Sequence, residues 1–258
     1  PKDSLAYINT KLLQGEVDEE TPKEPITLSC TMLGLRSIFT MRSPVYCRST
    51  HSLFFPAISR TRLPSGPSTY IASISPSTLT TTPLVNISYQ MSSLADLCLV
   101  GKEIYALGRT GIIDRLGRAE NGELRLMGTY PLLGFSLTPV AEMVRETVSI
   151  CANRRLVAVA GYNKEEPTTT YWILTRKLIP WGKSLTTVNY IDTPTPDNIV
   201  HKLALWKKKG TQFLIGMYAI SLVQILVITK TGPQLVVTTS IKSSKKLNLP
   251  RLPALRPN

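Results

Sequence analysis

From Leu97 to Ile241 the chain passes three times through one pattern, and that recurrence limits the possible folds more than any other feature. The units open with "LCLVGKEIYALG" (Leu97 to Gly108), "SICANRRLVAVAG" (Ser149 to Gly161) and "LALWKKKGTQFLIGMYA" (Leu203 to Ala219). Each is an apolar strand, a polar or basic turn and a second apolar strand. A third strand follows in "GIIDRL" (Gly111 to Leu116), "TYWILTRK" (Thr170 to Lys177) and "QILVITK" (Gln224 to Lys230). After a turn, a fourth closes the unit in "ELRLMGTY" (Glu123 to Tyr130), "LTTVNYID" (Leu185 to Asp192) and "QLVVTTSI" (Gln234 to Ile241). Turns rich in Gly, Asn and Pro between runs of Val, Ile, Tyr and Thr are hairpin signals. The second strands begin near Ile104, Leu156 and Phe213, 52 and 57 residues apart. The excess length sits in the connectors, where "PVAEMVRE" (Pro139 to Glu146) is expected as a short helix.

Four-stranded antiparallel units at roughly this spacing are how propeller blades are written. Over Leu94 to Ile241 the chain resembles a degenerate WD40-like β-propeller. The Trp-Asp dipeptide and the Gly-His pair of such repeats are missing, and Thr129-Tyr130 and Tyr190-Ile191 stand at the fourth-strand ends. The hydrogen-bonded network of regular repeats therefore does not carry over. The expected fold class is all-β, a propeller-like array of four-stranded antiparallel blades with flexible termini, the ring either closed or open and incomplete. Residues 25–241 form the propeller-like domain. Its first third supplies one or two poorer blades from "TLSCTMLGLRSIFTMRSPVYC" (Thr27 to Cys47), "STYIASIS" (Ser68 to Ser75) and "LVNISYQM" (Leu84 to Met91). Residues 1–24 read as an acidic tail or a short helix around Ser4 to Gln14, and 242–258 as a basic, proline-containing arm.

Charge is spread unevenly along the 258 residues, whose formal net charge is +13. Asp197 is the last acidic residue, and ten Lys and Arg follow it. Such a field favours an anionic partner. The strongest single candidate is "LWKKKG", in which Trp206 precedes Lys207, Lys208 and Lys209 in an expected β-turn. An aromatic beside cations suits nucleic-acid binding, and lysines also blunt strand edges against aggregation. The arm adds Lys242, Lys245, Lys246, Arg251 and Arg256. Trp172, Trp181, Tyr130, Tyr171 and Tyr190 are further candidates for stacking on bases.

The four cysteines, Cys30, Cys47, Cys98 and Cys151, show no Cys-x-x-Cys spacing, and the only histidines are His51 and His201. No metal site and no cofactor is expected. Free buried thiols suit a reducing intracellular compartment, cytoplasm or nucleus. Phe213 to Ile228 is apolar, but its 16 residues fall short of the ~20 that cross a bilayer. Two buried strands account for it, so a membrane partner is not expected. No phosphate-cradling glycine loop, zinc-binding helix motif or nucleophile elbow is present. Glu165 and Glu166 belong to a loop by composition. The chain is accordingly expected to be no enzyme and to take no small-molecule substrate. The leading reading is a non-catalytic scaffold that binds other protein subunits in a complex. The alternative is a basic, nucleic-acid-associated structural protein of an RNA–protein particle or a viral matrix type.

Overall fold

The computed structural model describes residues 4–7, 26–29, 35–38, 45–47, 52–59, 69–74, 86–91, 93–118, 124–132, 145–166, 168–179, 182–194, 200–218 and 222–240. Among these every element is a strand. β1 (Ser4–Tyr7) pairs with β2 (Ile26–Ser29) in a small separate sheet. The first blade holds β3 (Leu35–Ile38), β4 (Val45–Cys47), β5 (Ser52–Ser59), β6 (Thr69–Ile74) and β7 (Asn86–Met91). The second holds β8 (Leu94–Val100), β9 (Glu103–Gly108), β10 (Ile112–Arg118) and β11 (Leu124–Pro131). The third holds β12 (Arg145–Ala152), β13 (Leu156–Asn163), β14 (Thr168–Ile179) and β15 (Gly182–Pro194). The fourth holds β16 (Val200–Lys208), β17 (Thr211–Tyr218), β18 (Leu222–Thr229) and β19 (Gly232–Ser240). Each of the last three blades is an antiparallel meander in chain order, and successive blades pack on one another through β8, β12 and β16. The molecule is a four-bladed β-propeller.

The alternation of side chains explains why these strands lack a polar face. In β13, Val157 and Val159 pack toward the second blade, and Ala158 and Ala160 toward the fourth. In β14, Trp172 and Leu174 join the first set, Tyr171 and Ile173 the second. β9 divides in the same way, with Tyr105 and Leu107 on one side and Ile104 and Ala106 on the other. A strand covered on both faces reads as a continuous apolar run. In β17, Leu214 faces the third blade and Gly216 lies against the Tyr171 hydroxyl, while Ile215 and Met217 on the other face are half-buried. The apolar stretch Phe213 to Ile228 is thus two strands of one blade, and among the described residues no helix is long and apolar enough to cross a membrane.

Two expectations are corrected here, and one strand appears that the sequence reading did not include. Ser4–Tyr7 is a strand, not the start of a helix, because it finds a partner in Ile26–Ser29 that lies far along the chain. Arg145 and Glu146 open β12, pairing with Asn163 and Tyr162, so the expected helix does not extend to them. β5 is not among the strands expected from sequence, and it carries Pro56 in its middle. A proline offers no amide proton and is confined to edges and irregular places. The structure meets that limit by interrupting the neighbouring strand: β4 pairs with Ser52 to Phe54, β3 with Ala57 to Ser59, and neither with Pro56.

Gln224, which stands in the middle of the apolar stretch, is fully buried between the third and fourth blades. Its amide oxygen accepts hydrogen bonds from Tyr171 (2.8 Å) and Tyr218 (2.6 Å), and its amide nitrogen donates to the Pro194 carbonyl at 2.9 Å. Thr193 and Thr169 complete the cluster. Burying an amide costs free energy unless its bonds are made, and here they are. Gln224→Leu roughly keeps the volume but removes the acceptor shared by Tyr171, Tyr218 and Thr193 and leaves the Pro194 carbonyl without this donor, while the two tyrosine hydroxyls still bond each other. It is expected to lower the unfolding free energy by about 1–3 kcal/mol, seen as a lower urea midpoint at unchanged slope. An unmoved midpoint would show that the cluster contributes nothing.

Candidate functional site

Antiparallel meanders send their turns alternately to two ends. The links β8–β9, β12–β13 and β16–β17 share one end of the propeller, and a chain of hydrogen bonds ties them together. It starts on the second blade, where Glu103 Oε2 accepts from Arg176 Nη2 at 2.8 Å. Arg176, at the end of β14, also donates to the Tyr105 hydroxyl (2.9 Å) and to the Asn153 carbonyl (3.0 Å). The Asn153 side chain donates to Gln212 at 3.4 Å, and Gln212 donates to the Trp206 carbonyl at 3.0 Å. Asn153 Oδ1 also accepts from the amides of Arg155 and Leu156, each at 2.9 Å, which shapes its own turn. The outer hairpin at Lys230 and Thr231 is held to the third blade by Asn189, whose amide donates to the Thr231 carbonyl at 2.7 Å.

A second clamp lies on the inner strands. Asp96 of β8 is fully buried, and its carboxylate accepts from the Leu97 amide (2.9 Å), the Ser149 hydroxyl (2.9 Å) and the Ile150 amide (3.1 Å). The last two belong to β12, so one side chain ties two blades. Beyond it the opposite end is joined by the Thr147 amide, which donates to the Arg109 carbonyl at 3.1 Å. Near Asp96, burial pushes the Cys98 and Cys151 thiols up, with a further rise from the Asp96 charge. Such thiols are poor nucleophiles. Among the described residues no three of His, Cys, Asp and Glu group as a metal site would require.

The candidate residues from sequence divide sharply. Lys207 and Lys208 end β16, and Lys209 and Gly210 form the two-residue link to β17, with Lys208 paired to Thr211. Both link residues have positive φ, 46° and 86°. That is the geometry of a twisted hairpin turn, which favours Asn-Gly. All three lysines are exposed, and Trp206 is 37 % exposed, with Lys208 Nζ 5.5 Å from its ring centre and Phe213 at 5.4 Å. Lys242, Lys245, Lys246, Arg251 and Arg256 lie outside the described residues. Ser240, the last residue described before them, is at the far end of β19 from the hairpins. Trp172 and Tyr171 are fully buried and unavailable for stacking, Tyr190 is 39 % exposed, and Trp181 is outside the described residues. Sequence reasoning passed over Lys102, Arg154 and Arg155 as turn residues. Topology brings them to the end that holds Trp206.

No family model and no curated protein sequence matches the chain. Solved structures do. The chain is similar to a periplasmic gluconolactonase of Pseudomonas aeruginosa, with a TM-score of 0.52 and 14% identity over 79% of this chain and 53% of that one. It therefore spans about half the length of that protein. It is also similar to the β-propeller domain of Nup133 from Vanderwaltozyma polyspora, with a TM-score of 0.46 and 12% identity over 86% of this chain and 78% of that one. The N-terminal domain of Nup159 gives a TM-score of 0.46 and 10% identity, over 92% of this chain and 60% of that one. At these identities the likeness is one of fold.

The expectation that the chain is no enzyme is overturned by the first of these. A lactonase is an enzyme built on the same architecture, so the lack of a recognisable catalytic motif in a propeller gives no ground for excluding catalysis. The physical reason is that blades form the scaffold, while chemistry is placed on the links between strands, whose sequences follow no shared pattern.

Burial and the neighbouring Glu103 push the Tyr105 hydroxyl up to about 12, and burial also raises Tyr171 and Tyr218. A tyrosine ordinarily titrates near 10. The folded state favours the neutral form, so the stabilisation is complete below pH ~10 and is lost as pH rises through the folded value. The urea midpoint is expected to hold at neutral pH and to fall between pH ~10 and about 12. A midpoint that stays flat across that window would contradict the assignment of these hydroxyls as buried and neutral.

Proposed function

We propose that the chain is a protein-interaction platform, a rigid propeller that holds other protein subunits in an assembly. The observation that carries this reading is the row of exposed apolar side chains on the outermost strands. Leu126 and Met127 on β11 are 46% and 53% exposed, and Tyr190 on β15 and Leu235 on β19 are 39% and 36% exposed. In the second blade a bulge accounts for them. Arg115 pairs with Gly128 and Leu116 with Leu126, so Met127 is the extra residue that pairs with nothing across the ladder. A bulge bends an edge strand and redirects its side chains. These strands are also the sheet edges, where one side of the backbone is left without a ladder partner. Apolar side chains along such edges suit a partner protein that adds its own surface or strand.

Leu126→Lys with Met127→Lys tests this. In extracts the tagged chain is expected to elute well above its own 28.5 kDa together with stoichiometric subunits. The double variant should elute closer to that mass, with thermal stability little changed because both side chains are already exposed. Elution of the unaltered chain at monomer mass would sink the proposal.

A further inference from the structure

Among the described residues, the two ends of the propeller differ in charge. At the end where the inner hairpins turn, the exposed cations are Lys102, then Arg154 and Arg155, then Lys207, Lys208 and Lys209, one group on each of the second, third and fourth blades. Lys230 stands on the outer hairpin of the fourth blade, at the same end. Glu103 at this end is taken up by Arg176 at 2.8 Å. The opposite end is balanced: Arg145 pairs with Asp192 at 3.2 Å, Lys164 with Glu146 at 2.6 Å, and Glu165 and Glu166 are exposed beside them. These cations are scattered along the sequence, and only the meander topology gathers them.

We propose that the basic end binds single-stranded nucleic acid, its backbone running across the three hairpins and one base resting on Trp206. Point charges on short turns suit phosphates spaced along a strand. Trp206 adds what a purely electrostatic surface lacks, a half-open ring with an ammonium beside it. An incoming base can take the ring while Lys208 moves to a phosphate. Base–aromatic stacking of this kind needs an unpaired base and tolerates any sequence. The turn itself points the same way. Lys209 holds a φ of 46°, where Asn or Gly would be relaxed, so a third lysine stands where backbone stereochemistry favours another residue. The hydrogen-bond chain from Glu103 to Trp206 keeps the three hairpins in fixed relation before any ligand arrives.

The test is fluorescence anisotropy of the full chain with a labelled oligouridylate of roughly 16 nucleotides, from about 50 to 200 mM salt. With six charges engaged, the log–log slope is expected to be about −4, at about 0.7 for each phosphate. Arg154→Gln with Arg155→Gln should flatten it by about 1.4, and neutralising Lys207, Lys208 and Lys209 together by about 2. Trp206→Ala should weaken binding by about five- to a hundred-fold and leave the slope unchanged, with Trp206→Phe restoring most of the loss. Deleting residues 242–258 should leave most of the slope in place. Four results would overturn the proposal. One is a slope near zero. Another is a slope that disappears with the arm or ignores the hairpin variants. A third is equal affinity for duplex with no effect of Trp206→Ala, which would leave only phosphate attraction. The last is competition by polyglutamate as strong as by the oligonucleotide, which would make the end a surface for acidic protein segments. The interaction-platform reading rests on the outer strands and survives any of these.

Discussion

A sheet with two apolar faces cannot stand alone in water, and that constraint governs the whole molecule. Each of the second and third blades presents large side chains on both sides. Trp172 and Val159 face one neighbour, and Tyr171 and Ile173 the other. A single four-stranded blade would bury neither set. Stacking blade on blade buries both, and the free energy of removing apolar surface from water accumulates across every interface. Small residues at Ala158 and Ala160 let the facing sheets approach, while Gly161 leaves room for neighbours within its own blade. A Cβ on Gly161 would come within 2.6 Å of the Glu146 carbonyl and 2.9 Å of the Trp172 ring.

Apolar packing alone is non-directional, so it sets the spacing of blades but not their alignment. Alignment falls to a few buried polar clusters. Asp96 ties β8 to β12, Arg176 joins the second blade to the third, and Gln224 joins the third to the fourth. In each, a group that would be costly to bury without partners has them on an adjacent blade. Sliding one blade against the next would break several such bonds together, so the hairpins at each end keep a fixed relation.

Two kinds of surface result. The outermost strands are sheet edges with apolar side chains turned outward, a form suited to protein partners. The inner hairpins form an end dense in cations, with an aromatic ring among them. Neither depends on the other, because one lies around the rim and the other near the axis. The same separation lets one scaffold carry unrelated surfaces, since the blades constrain the links very little.

The recurring strand units, the two strands within Phe213 to Ile228 and the turn at Lys209-Gly210 were legible in the sequence, because hairpins leave local signals: alternating residues and turn formers at short range. Elements that depend on distant partners were not. Ser4–Tyr7 became a strand through Ile26–Ser29, and β5 tolerated Pro56 only because the adjacent strand is broken opposite it. Of the candidate surface, the sequence alone showed Trp206 to Lys209. It could not show that Lys102, Arg154 and Arg155 share their end, or that Tyr171 and Trp172 are sealed between blades. Local chemistry determined where the chain turns. The packing of two-faced sheets decided which turns meet, because only the assembled blades fix the end to which each hairpin points.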